Sequence, residues 1–133
     1  MMKKVFVFTL LALMLSVFGL QAQNRVEVLC FHAKQRCATC LAIEKNAKEV
    51  ISQNFAQQVK NGTVVFKEID ISTKEGEKIA DKYRVSSSSI FVNSWKKGKE
   101  TRYDVSNFAF LNAKNNPDVF KKELKKKITR LLK

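Results

Sequence analysis

The sequence predicts one α/β domain, a mixed sheet in β-α-β-α-β-β-α order with helices on both faces. Three observations carry this. Two apolar, β-rich runs at 25–31 and 63–71 are separated by a stretch whose apolar residues recur every three or four positions. Strands joined through a helix in this way run parallel. A third run, Ile90-Phe91-Val92, is followed by the turn pair Lys97-Gly98 and a short strand from Glu100 to Tyr103, which makes an antiparallel hairpin. The chain then closes on Phe120, Leu124, Ile128 and Leu131, spaced as one face of a helix.

Taken in order, residues 1–22 stand apart from the domain. Met1-Met2-Lys3-Lys4 precedes an apolar run from Val5 to Leu20, broken only by Thr9, Ser16 and Gly19, and Gln21-Ala22-Gln23 follows. This is the layout of a secretory signal peptide cut after Ala22, or of an N-terminal anchor if it stays uncut. The run is shorter than the roughly 20 residues of a full span. The expectation is an exported, periplasmic domain over 23–133, and 133 residues less 22 leaves 111. That is enough to bury a core without staples.

Val26 to Phe31 is apolar on both alternating sets after Glu27, so this strand is expected to be covered on both faces. His32 to Arg36 is a polar loop. From Cys37, the spacing of Ile43, Ala47, Val50, Ile51, Phe55 and Val59 predicts one amphipathic helix to about Lys60, closed by Asn61-Gly62. Thr63 to Ile71 is expected as a second central strand, with Asp70 ending it and capping the next helix. Ser72 or Thr73 starts that short helix, which ends near Arg84, with Ile79, Ala80 and Tyr83 facing inwards. Ser86 to Ser89 leads into the third strand. Asp104 to Asn115 is less regular, but its Val105, Phe108, Phe110 and Leu111 predict a segment packed on the domain. Asn116-Pro117-Asp118 opens the last helix with a first-turn proline.

The formal net charge of +13 falls to +11 without Lys3 and Lys4. Such an excess invites a nucleic-acid reading. The C-terminal lysines, however, alternate with apolar residues at helical spacing and no aromatics interleave with them. A solvated helix face is expected and no nucleic acid, with contact to an anionic membrane surface as the secondary reading.

Chemistry concentrates in three cysteines. Cys37-Ala38-Thr39-Cys40 lies at the head of the long helix, and Cys30 lies seven residues earlier, at a strand end. A thiol at a helix N-terminus feels the partial positive charge of the first-turn amides, and Lys34 and Arg36 add to it. Cys37 is therefore expected to be the readily ionised, attacking thiol, with Cys40, one turn in, resolving the mixed disulfide. A static disulfide over so small a loop would stabilise the fold little. Cys37 and Cys40, with Cys30, are also candidate ligands for a soft metal or arsenite; a closed zinc site would draw on His32. His32, the only histidine, is a candidate general base for Cys40. The plain alternatives are a solvated loop histidine and, for Cys30, a small buried hydrophobe.

The Cys37-x-x-Cys40 pair between β-runs, Lys67-Glu68-Ile69-Asp70, and the passage from Asp81-Lys82-Tyr83-Arg84-Val85 to Ile90-Phe91-Val92 and Lys97-Gly98 together resemble the thioredoxin family. The resemblance spans roughly residues 25–103 and the last helix. It implies a thioredoxin-like fold, thiol-disulfide exchange with protein thiols, disulfides or a redox partner, and no cofactor. Phe31-His32, Arg36-Cys37-Ala38-Thr39-Cys40 and Ser88-Ser89-Ile90-Phe91-Val92 are similar to a narrower group of exported bacterial proteins. That group is described as the ArsF-type subunit of a nitrophenyl-compound nitroreductase.

Three positions depart from the family pattern. Ala38-Thr39 replaces glycine-proline, Arg36 replaces tryptophan, and Ser88 or Ser89 falls where the family has a cis-proline facing the disulfide. With one loop residue inserted, Cys30 aligns with the family's buried acid, which is then absent. Arg36, Ser88 and Ser89 are expected to face a substrate chain. The missing proline favours a second reading, a non-catalytic protein that binds a soft metal or arsenite, and admits a third, a structural adaptor.

Overall fold

The computed structural model describes residues 24–133; the signal or anchor expected at 1–22 lies outside the described residues. Strand β1 (Arg25–His32) is buried along almost its whole length. It runs parallel to β2 (Val64–Asp70), with Val26 opposite Val64, and antiparallel to β3 (Ser89–Lys96), with Val28 opposite Val92. β4 (Lys99–Asp104) completes the order β2-β1-β3-β4. The second strand was expected to be central and is instead an edge. β3 occupies the other side of β1, so no strand remains for the far side of β2. Exposed Lys67 and Glu68 give that edge the charge that discourages further pairing.

Helix α1 (Ala38–Asn54) buries Ile43, Ala47, Val50 and Ile51, as the spacing predicts. The helix does not run unbroken to Lys60. Phe55 is driven into the core at 4% exposure, its backbone leaves helical angles, and its N–H still caps Ile51 O at 2.9 Å. The chain resumes as the short α2 (Ala56–Lys60), where Val59 is 46% exposed rather than inward-facing. Gly62 closes the run at φ +81°, a left-handed angle that favours glycine.

Helix α3 (Lys74–Tyr83) starts at Thr73, whose Oγ1 accepts from Gly76 N at 3.0 Å. Asp70 is not the cap; its carboxylate accepts from Ser72 N at 2.9 Å and Ser72 Oγ at 2.6 Å. Gly76 is required here, because a Cβ would lie 1.7 Å from Asp70 O. Lys97 and Gly98, at φ +53° and +77°, make the β3–β4 turn, and both positive angles suit a tight hairpin.

The segment expected to be irregular contains a helix, α4 (Ser106–Asn112). Val105, Phe108 and Ala109 turn inwards, and Asn46 Nδ2 on α1 donates to Ala113 O at 2.8 Å. Phe110 and Leu111 do not pack: they are 39% and 72% exposed. They fall off the inward stripe and blur its period. In the last helix, α5 (Pro117–Leu132), Pro117 occupies the first turn and Phe120, Leu124 and Ile128 are buried. The Asn116 side chain makes no capping bond there.

Helices lie on both faces. Val26, Val28, Cys30, Ile90 and Val92 meet α1, α4 and α5 on one side. Leu29, Phe31, Ile69 and Phe91 meet Ala80 of α3 on the other. Burial of each large apolar side chain contributes about 1.5–3 kcal/mol. Tyr83 locks the second face, with ring centres 5.5 Å from Phe31 and 5.3 Å from Phe91. Among the described residues no helix is long and apolar enough to cross a membrane.

Candidate active site

The carboxyl end of β1, the head of α1 and the entry to β3 converge on the cysteine pair. Cys37 is the N-cap of α1: its Sγ accepts from Cys40 N at 3.0 Å. Cys37 and Cys40 form a disulfide with Cα atoms 5.0 Å apart. Cys37 is exposed and Cys40 half-buried. The thiol that meets solvent is also the one that receives a helix amide.

Ser88 Oγ lies 3.3 Å from Cys40 Sγ. Because that sulfur is in a disulfide and has no proton, the hydroxyl is the donor. Ser89 opens β3, its Oγ donating to Ser87 O at 3.2 Å. Among the described residues no peptide bond is cis. A small pocket of about 20 Å³ lies behind Cys40, lined by Cys30, His32, Glu44, Ser88 and Ser89 among others. This is room for about one water.

His32 does not touch Cys40 through a hydrogen bond. Its Nδ1 donates to Ala33 O at 3.0 Å and its Nε2 accepts from Arg36 Nη2 at 2.9 Å; a single neutral tautomer serves both. Arg36 also reaches Glu44 at 2.9 Å and Glu68 at 4.0 Å. Lys48 joins the same two carboxylates, at 3.2 Å from Glu44 and closer to Glu68. Two cations and two anions thus form a closed ring between the loop, α1 and β2. The hydrogen bond from Lys48 holds the Glu68 carboxyl below its usual range, and the same contact raises Lys48. Asp70 is lowered by its Ser72 hydrogen bonds first, with smaller help from Arg36.

Arg36, a neighbour of Cys37 in the sequence, spends its guanidinium on His32, Glu44 and Glu68. Glu44, Lys48 and Glu68 were missed. The signal was there in the four-residue steps Cys40, Glu44, Lys48, which share one helix face.

Cys30 is 5% exposed and is a free thiol. Burial first, then the neighbouring Glu44 and Glu68 carboxylates, push it up to about 12. Cys30 is thus a group that stays neutral near neutral pH. Cys30 and Cys40 share the small pocket, but among the described residues no three His, Cys, Asp or Glu side chains gather as metal ligands do.

No protein-family model matches the sequence, and no curated protein matches it. Solved structures do. The chain is similar to the reduced thioredoxin pre-protein of Schistosoma mansoni, with 22% identity, 86% of this chain and 89% of that chain covered, and a TM-score of 0.51. It is also similar to Trxlp of Edwardsiella tarda, with 17% identity, 82% and 90% covered, and a TM-score of 0.50. For Fasciola hepatica thioredoxin the values are 24%, 90% and 92%, and 0.48. The chain has the thioredoxin fold.

Proposed function

We propose that the protein is an exported thiol-disulfide oxidoreductase or electron-transfer protein working through Cys37 and Cys40. The observation that carries this is the disulfide at the head of α1, with Cys37 exposed and receiving the Cys40 amide. In the dithiol form the Cys37 thiolate attacks a partner disulfide. One partner sulfur leaves and a Cys37–partner disulfide forms. Cys40 then gives up its proton and attacks Cys37 Sγ. This releases the second partner thiolate and restores the Cys37–Cys40 bond, so two electrons pass to the partner. The reverse sequence oxidises a partner dithiol.

Ser88, His32 and Glu44 line the pocket behind Cys40, where one water can carry its proton outwards. His32 is the candidate base in this scheme, and its Nε2 must first leave Arg36. Arg36, Ser88 and Ser89 border the ground a substrate chain would cross. Export rests on the apolar run after Lys3-Lys4. Membership of the ArsF-type group rests on the residues shared around the pair.

The test is insulin reduction by the dithiol form. Cys37→Ser is expected to abolish it, and Cys40→Ser to accumulate a mixed disulfide. If the wild-type dithiol leaves insulin intact and Cys40→Ser traps no partner, the reading fails. Arsenite or copper(I) binding that Cys37→Ser abolishes would then favour the soft-metal reading. The reduction potential assigns direction: a value near about −270 mV marks a reductant and one near about −120 mV an oxidant.

A further inference from the structure

The α3 side of the sheet carries a second polar cluster, at the opposite end of β1 from the cysteines. Residues Glu27 and Asn93 are register partners there, and Arg25 and Trp95 form the next row. None of these four belongs to the apolar cluster that α3 covers. Arg25, Glu27 and Trp95, with Lys67, Lys82 and Arg102 among others, surround an open cleft of about 360 Å³ floored by Leu29 and Ile69, and Asn93 joins it only through its hydrogen bond to the Tyr83 hydroxyl.

The charges of this cleft do not balance. Glu27 is taken by Arg25 Nε at 2.8 Å, and Glu100 by Arg102 Nε and the Tyr83 hydroxyl. Arg25 thereby uses one nitrogen, and among the described residues its two terminal amino groups make no hydrogen bond. Lys67 and Lys82 make no ion pair among the described residues. Lys67 and Lys82 therefore border the cleft without anions of their own, and Arg25, though paired with Glu27 through Nε, keeps its two terminal nitrogens free of hydrogen bonds among the described residues.

The aromatic parts are arranged alongside. The Arg25 guanidinium lies 4.6 Å from the Trp95 ring centre and that of Arg102 lies 3.8 Å from Tyr83. Asn93 is 0% exposed, yet its Oδ1 has no partner, and neither has Trp95 Nε1. Two orphaned polar atoms in one cluster are unusual for a finished core, and Trp95, which carries one of them, lines the cleft itself.

We infer that this cleft binds a small aromatic anion, a carboxylate or sulfonate on a planar ring. The paired terminal amino groups of Arg25 match a forked oxyanion, Lys67 and Lys82 add charge, and the ring lies over Leu29 and Ile69 beside Trp95. The site is separate from the cysteine pair, so occupancy leaves thiol exchange unchanged.

Trp95 is the only tryptophan in the chain, so its emission reports on this cleft. The full chain is titrated with 1-anilinonaphthalene-8-sulfonate, and energy transfer from Trp95 to the bound probe is followed. Saturable transfer is expected, with an uncharged probe of similar shape, N-phenyl-1-naphthylamine, binding at least about tenfold more weakly. Arg25→Gln combined with Lys67→Gln and Lys82→Gln is expected to weaken the anionic probe by about tenfold or more, and Lys122→Gln with Lys125→Gln on α5 to leave it unchanged. No transfer up to about 1 mM overturns the inference. So does equal binding of the neutral probe, which needs no variant to fold, or a triple variant that binds as wild type does.

Discussion

Replacing Cys30 by alanine is expected to flatten the alkaline limb of the stability profile, and the size of the effect follows from the burial of the thiol. Cys30 is lifted from an ordinary 9.0 to about 12 by burial first, then by Glu44 and Glu68, with Lys48 opposing. Above pH 9 the unfolded chain has released this proton while the folded chain still holds it. The folded state then binds more protons, so stability is full below that point and falls as pH rises towards 12. Each pH unit above 9 costs on the order of 1 kcal/mol, so the loss is roughly 1 kcal/mol at pH 10 and roughly 3 kcal/mol at pH 11. Cys30→Ala lacks this loss, at a pH-independent cost of about 1 kcal/mol for the small cavity.

The assay is urea unfolding of wild type and variant at pH 8, 10 and 11 with the Cys37–Cys40 bond intact. Tyr83 is also pushed up to about 12, by burial and by Glu100, but it is present in both proteins and cancels in the difference. The same reasoning applies to the reduced protein, where iodoacetamide at pH 8 should label Cys37 at least about a thousandfold faster than Cys30. Parallel loss of stability in the two proteins up to pH 11 would refute the reasoning. It would mean that Cys30 ionises inside the fold and that water enters the pocket behind Cys40.

Gly76→Ala is expected to destabilise by about 3 kcal/mol in urea unfolding, because the new Cβ would meet a backbone carbonyl 1.7 Å away that cannot move without breaking the turn. Ser88→Ala removes the side-chain donor at Cys40 Sγ; the lifetime of a mixed disulfide should lengthen about fivefold while the first attack by Cys37 stays unchanged. Glu44→Ala strips Arg36 and Lys48 of a carboxylate whose side chain is only 12% exposed, so a loss of about 1–2 kcal/mol is expected, read by thermal or urea unfolding.

The parts of the fold legible in the sequence are those with a long, unmixed period. β1 is apolar on both sets and is buried on both faces; α1 keeps a clean stripe from Ile43 to Ile51 and packs along it. The break at Phe55 was not legible, because an aromatic residue at a helical position looks the same whether the helix continues or the ring draws the backbone inwards. The place of β2 at the edge was equally hidden. Strand order follows from which side of β1 the hairpin takes, and no local pattern in Val64–Asp70 encodes that. In α4 the apolar residues outnumber the inward positions, so Phe110 and Leu111 masked a helix by filling its outer face.

At the site, spacing made both cysteines legible, but the reach of the charged side chains around them was not. Adjacency made Arg36 a neighbour of Cys37, whereas side-chain reach made it the partner of Glu44, eight residues on, and of Glu68 on β2. Its charge is therefore met within a ring of two cations and two carboxylates. The field of such a ring falls off faster with distance than that of a lone cation. The head of α1 still favours a Cys37 thiolate, with the Cys40 amide 3.0 Å from the sulfur, and Lys34 makes no ion pair among the described residues. The ring instead joins the loop before Cys37 to the helix after Cys40. With Cys30 kept neutral beneath, the charged groups nearest the pair sit at the rim of α1 rather than in the core below it.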